Sequence, residues 1–220
     1  MIQYIQNLFR ELDTGFLAAT AQRLLAVLLC LTVHETAHGF AAFLLGDRTA
    51  KQEGRLSLNP LRHIDWVGLL LLFTAGFGWA KPVPVDARSF DNPKKGMALT
   101  ALAGPVSNFL LSILLLLICK LILLYAEAGA VIIWVFSLLL YAAQLSIGLG
   151  LFNLIPIPPL DGSKILAAIL PDRAYYTLMR YERYGMLLLL VLALTDVTGN
   201  LIGGAISAVY TALLNLILLG

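Results

Sequence analysis

Three histidines occur in 220 residues, and two of them flank a glutamate in His34-Glu35-Thr36-Ala37-His38. On a helix, positions i and i+4 share a face, so both imidazoles can reach one ion while Glu35 stands beside it to handle a water proton. Zinc suits such a pair, because imidazole is a borderline ligand and the ion needs no redox role. Chance would place this pattern in such a composition on the order of one time in a thousand. The plainer reading, two packed histidines with a structural carboxylate, is weak here. The motif lies inside an apolar stretch, where every ionisable group must find a partner within the protein.

A catalytic tetrahedral zinc takes three protein ligands and keeps one position open. A third histidine six residues after the second is one solution, but that position is Leu44. Glu53 lies among polar loop residues, and Glu127 falls on the opposite side of the topology argued below. Asp161 is the better candidate, because it follows the broken stretch Phe152-Asn153-Leu154-Ile155-Pro156-Ile157-Pro158-Pro159-Leu160-Asp161-Gly162. Prolines remove backbone donors and prevent regular helix, which frees carbonyls and Asn153 to face a cavity.

The elements that must position these groups are set by composition. Hydrophobic residues make up 60% of the chain and charged residues 13%, against roughly 25% charged in an ordinary soluble domain. A soluble globule would expose large apolar patches, so the natural solvent is a bilayer. A net charge of +2, with cations scattered in loops, implies no nucleic-acid partner. A spanning helix needs about 20 apolar residues. Candidates are Phe16 to Leu45, Met97 to Tyr125, Ala130 to Phe152, the short Gly185 to Thr195, and Leu201 to Leu219. Trp66 to Trp79, interrupted by Gly76 and Gly78, is too short to span and fits a re-entrant or surface-lying segment.

Cytoplasmic loops collect Lys and Arg. Gly46 to Asp65 carries Arg48, Lys51, Arg55 and Arg62, and Ala80 to Gly96 carries Lys81, Arg88, Lys94 and Lys95. Both loops read as cytoplasmic, which leaves Glu127 outside. The expected fold is therefore an all-α polytopic membrane protein of about five spanning helices plus one re-entrant or extended segment near the active site. It reads as a single domain over 1–220, with an amphipathic segment over 1–15, a catalytic core over 16–170 and C-terminal spans over 181–219. Cys30 and Cys119 lie in apolar runs and read as packed or lipid-facing thiols.

At the level of motifs the chain resembles the site-2 proteases, intramembrane zinc metalloproteases. The resemblance rests on HETAH, on Asn153 to Gly162, which matches N-x-x-P-x-P-x-L-D-G, and on Ala103-Gly104-Pro105-Val106-Ser107-Asn108, like A-G-P-x-x-N. Gly76 to Val85 resembles the loop after the motif helix in the compact members, which carry no PDZ-like or nucleotide-sensing domain. The resemblance implies one zinc held by His34, His38 and Asp161, with Glu35 as general base. It further implies membrane-protein substrates, and a bacterial or archaeal cell membrane as the location. Ser163-Lys164 follows the aspartate-glycine where a second glycine, or a small residue plus arginine, is more frequent, and the departure touches no ligand.

The remaining polar residues carry lesser expectations. Asn153 suits the substrate backbone or the oxyanion, or caps the broken helix. Asn108 suits the same role or bonds a neighbouring helix. Gly76 and Gly78 suit close approach of a substrate strand, and Gly104 close helix packing. His63 reads as a solvated loop residue. A divalent-metal transporter or a silent membrane scaffold would use the same His/Asp cluster, but neither needs a glutamate beside the first ligand.

Overall fold

The computed structural model describes residues 14–75, 78–171 and 197–219, with isolated positions between 173 and 191. Its regular elements are α1 (Thr14–Leu44), α2 (Thr49–Gln52), a 3-10 turn at Pro60–Arg62, α3 (Trp66–Ala75), a 3-10 turn at Ala87–Ser89, α4 (Pro93–Tyr125), α5 (Ala130–Asn153), α6 (Asp161–Ile169) and α7 (Val197–Leu214), which runs into a π turn at Asn215–Leu219. No strand occurs among the described residues. Helices α1, α4 and α5 are long and apolar enough to cross a membrane. Most of the expected span at 185–195, the segment at 1–13 and Gly76 lie outside the described residues.

Local chemistry sets the helix ends. Gly46, at φ +104°, follows α1, and the Gly46 and Asp47 amides donate back to Phe43 and Ala42. Only glycine takes this left-handed conformation cheaply, so the helix stops there. Asn92 caps α4 by accepting from the Lys95 amide at 3.1 Å, with Pro93 in the first turn, where its missing N–H costs nothing. Helix α5 ends at Asn153, just before the prolines at 156, 158 and 159.

Small residues let the three long helices approach closely. Ala26 and Cys30 of α1 pack with Leu111, Leu115 and Leu116 of α4 and with Ala142 and Ala143 of α5. Cys30 and Cys119 are both buried and unpaired. Gln22 donates to the Trp134 carbonyl at 3.0 Å and to the Ser137 hydroxyl at 2.6 Å, and Ser146 donates to the Asn108 carbonyl at 2.8 Å. On α4, Leu110, Leu114, Leu117, Leu121 and Leu124 are exposed at a 3-4 spacing, which leaves an apolar stripe along one face of that helix.

Helix α3 has ten residues, about 15 Å of rise, half of a roughly 30 Å hydrocarbon core. The chain then turns back, because the Lys81 amide donates to the His63 carbonyl at 2.9 Å. The segment thus leaves and returns at one end of the bundle, as its length predicts.

Candidate active site and metal centre

The i, i+4 spacing on α1 brings the two imidazoles together, with ring centroids 4.5 Å apart. His34 Nε2 and His38 Nε2 are 3.0 Å apart, and Asp161 Oδ2, at the first turn of α6, lies 3.1 Å from each. All three side chains are buried. Among the described residues this is the one His/Cys/Asp/Glu group able to hold a metal. Ligand atoms of a tetrahedral zinc with ~2.05 Å bonds stand about 3.3 Å apart, so this triangle needs to open only slightly to accept the ion. Buried Asp161 Oδ2 also has no hydrogen-bond partner of its own. Three acceptor atoms converging without a proton donor fit a cation among them.

The outer ring nitrogens hold the imidazoles in place. His38 Nδ1 lies 2.7 Å from the Thr100 carbonyl, a partner that needs a proton on Nδ1 and so leaves Nε2 its lone pair. His34 Nδ1 lies 3.0 Å from the Asn108 amide. Oδ1 of Asn108 is buried without a partner, so turning the amide over would let Nδ1–H donate to it and free the His34 Nε2 lone pair as well. Asn108 is fully buried. The structure places it behind His34, bonding a neighbouring helix, and not on the surface of the cleft where an oxyanion would sit. Gly104 admits these contacts, because a Cβ there would lie 2.6 Å from His34 Cε1 and 2.5 Å from His38 Nε2. Gly162 similarly fits beneath the Leu154 carbonyl.

A cavity of about 280 Å³ opens on the cluster, lined by His34, Glu35, His38, Val83, Asn153 and Lys164 among others. Asn153 ends α5 at its edge and donates to the Leu149 carbonyl at 3.0 Å. Lys164 Nζ lies 3.9 Å from Asp161 Oδ1. Glu35 faces Val83, whose amide donates to Glu35 Oε2 at 2.9 Å. Residues 78–86 are neither helix nor strand. Lys81 and Val83 each precede a proline, which keeps them extended. Gly78 begins this segment. The Asp86 amide donates to Asp47 Oδ2 at 2.8 Å, while Asp47 Oδ1 accepts from the Thr49 amide and hydroxyl. Burial pushes the Asp47 carboxyl up, and the neighbouring Asp86 charge adds to that. The three hydrogen bonds outweigh both and hold it below the ordinary carboxylate range.

His63 corrects an expectation. It is buried, not solvated, and Nε2 donates to the Ser57 carbonyl at 2.7 Å. Sequence reasoning also missed the Thr100 carbonyl, the bond of the Val83 amide to Glu35, and Asp47. The first two act through backbone atoms, which no residue type advertises, whereas Asp47-Arg48-Thr49 carried a usable signal in an Asp followed two residues later by a Thr.

The Peptidase family M50 profile matches residues 120–195. YwhC of Bacillus subtilis, which carries the name zinc metalloprotease, is 40% identical over 176 residues, covering 78% of this chain and 79% of the relative. The chain belongs to the site-2 protease family, peptidase family M50. It is thereby a metalloprotease. Rip2 of Mycobacterium tuberculosis is 32% identical over 171 residues, 76% of this chain and 64% of the relative. The zinc metalloprotease MJ0392 of Methanocaldococcus jannaschii is 36% identical over 84 residues, 38% of this M50 chain and 23% of its own. No solved structure gives a significant match.

Proposed function

We propose that the chain is an intramembrane zinc endopeptidase that cleaves within or near a spanning segment of another membrane protein. One zinc is held by His34, His38 and Asp161. The observation that carries this reading is the shared cavity: the three converging ligand atoms, the Glu35 carboxylate and an extended chain segment all face it.

When bound, zinc supplies a Lewis acid that polarises the scissile carbonyl and acidifies a water. Glu35 takes the water proton and later delivers it to the leaving amine. The Val83 N–H fixes the carboxylate in direction while it waits. Asn153, at the cavity edge, steadies the substrate backbone near the developing charge. Substrate pairs as an extended strand along 78–85. Pro82 and Pro84 have no N–H, the Val83 N–H is engaged, and among the described residues the Val83 and Pro84 carbonyls have no hydrogen-bonded partner. The segment therefore offers acceptors, and an unwound substrate brings the donors. The cationic loops 46–65 and 80–96 put this end of the molecule toward the cytoplasm of a prokaryotic cell membrane.

The test is purified protein in detergent, assayed for zinc by elemental analysis and for cleavage of a model spanning peptide. Glu35→Gln should lower turnover by about 10²-fold or more while zinc stays bound, because the amide cannot accept a proton yet disturbs no ligand. Turnover at wild-type rate in that variant would remove Glu35 from the mechanism. Metal transport without peptide cleavage, or neither activity, would replace the protease reading with a transporter or a silent scaffold.

A further inference from the structure

Arg55 lies between α2 and the 3-10 turn and is 7% exposed. Among the described residues no carboxylate pairs with it. Its guanidinium is held by backbone oxygens: Nη1 donates to the Arg62 carbonyl, and Nη2 to those of Lys81 at 2.6 Å and Pro82 at 3.0 Å. A buried cation without a counter-charge is costly to keep, and a planar fork reaching three carbonyls is something lysine cannot copy. The carbonyls it grips immediately precede Val83, the residue bonded to Glu35.

The loop around it closes a circuit onto α1. Lys81 donates its amide to the His63 carbonyl at 2.9 Å, the His63 ring holds Ser57 at 2.7 Å, and the Thr36 hydroxyl, beside Glu35, donates to the same Ser57 carbonyl at 2.8 Å. The bond to Glu35 admits one register only. Val83 lies between Pro82 and Pro84, so a slip of one residue either way would set a nitrogen without a proton against the Glu35 carboxylate. Such a slip would also turn the segment's side chains to the opposite face.

From this we infer that Arg55 is a positioning residue. By holding the carbonyls of Lys81 and Pro82, it fixes the register of 81–85 against Glu35 and thereby selects which substrate bond meets the reacting groups. The inference rests on the protease reading and on substrate pairing along this segment.

The experiment compares wild type, Arg55→Gln, Arg55→Lys, Pro84→Ala and the Arg55→Lys/Pro84→Ala double variant in detergent. Zinc content, KM, kcat and the cleaved bond of a model spanning peptide are read, the last by mass spectrometry of the products. Loss of folded protein lowers the amount of product but does not move the bond that is cut. Arg55→Gln should keep its zinc, raise KM on the order of tenfold, and spread cleavage to neighbouring bonds. Arg55→Lys should restore part of this. Pro84→Ala adds a second amide donor at a half-buried position of the strap; with Arg55 in place the cut bond should stay single whatever the change in rate, and in the double variant cleavage should spread. That pair carries the test if Arg55→Gln does not fold. Unchanged KM and a single unchanged cleavage site in Arg55→Gln, or in the double variant, would overturn the inference while the protease reading stood. No cleavage of any peptide by wild type would overturn both.

Discussion

A methyl group at Gly104 would press on both imidazoles of the His34/His38 pair. Gly104→Ala is therefore expected to weaken zinc binding by about 10- to 100-fold, the range seen when ligand support is disturbed, and competition with a chelator measures it. Truncating a ligand is harsher. Asp161→Ala should empty the site by elemental analysis, because three ligands leave none to spare. Full occupancy in that variant would send the search for the third ligand back to Glu53. The two imidazoles were legible in sequence because helical spacing is a local rule. Asp161 was legible only as a proline-broken motif, since nothing local tells a chain that residue 161 returns to residue 34. The Thr100 carbonyl, the Val83 amide and the Arg55 grip were invisible, because each acts through backbone atoms whose positions come from tertiary packing.

The 78–86 strap has no regular structure, and its place depends on three anchors: the 55–63 loop, Glu35 and Asp47. Asp47 makes the third anchor titratable. Its carboxyl ionises more readily folded than unfolded, so its contribution is present above the ordinary carboxylate pKa of ~3.9 and is lost as pH falls through the lower folded value. Asp47→Asn should lower stability by about 1–3 kcal/mol at neutral pH. It should also flatten the fall in melting temperature that wild type shows on acidification below pH ~4. Equal acid sensitivity in both proteins would release Asp47 from this role. The spans at α1, α4 and α5 followed from apolar run length, within a few residues at each end. The hairpin return of α3 followed from its shortness together with charge on both flanks.

At the scale of the whole molecule, Lys51 and Lys95 stand beyond the metal-site end of the bundle. Glu127 lies past the far end of the 33-residue α4. Single cysteines at these three positions, in a background lacking Cys30 and Cys119, test the orientation. Those at Lys51 and Lys95 should resist an impermeant external thiol reagent while that at Glu127 reacts. External labelling at Lys95 but not at Lys51 would contradict both the hairpin return and the one-sided cleft.

Helices α1, α4 and α5 are long and apolar enough to cross a membrane, whereas the ten-residue α3, with Trp66, Val67 and Leu70 exposed, has about half the length that a crossing needs. In the membrane reading proposed above, the exposed apolar side chains of α3 meet lipid, so bilayer composition is expected to shift α3, which cleavage rates in vesicles of differing lipid would report. Because α3 precedes the strap that holds Glu35 in the chain, a shift of α3 would reach the carboxylate that the proposed reaction uses.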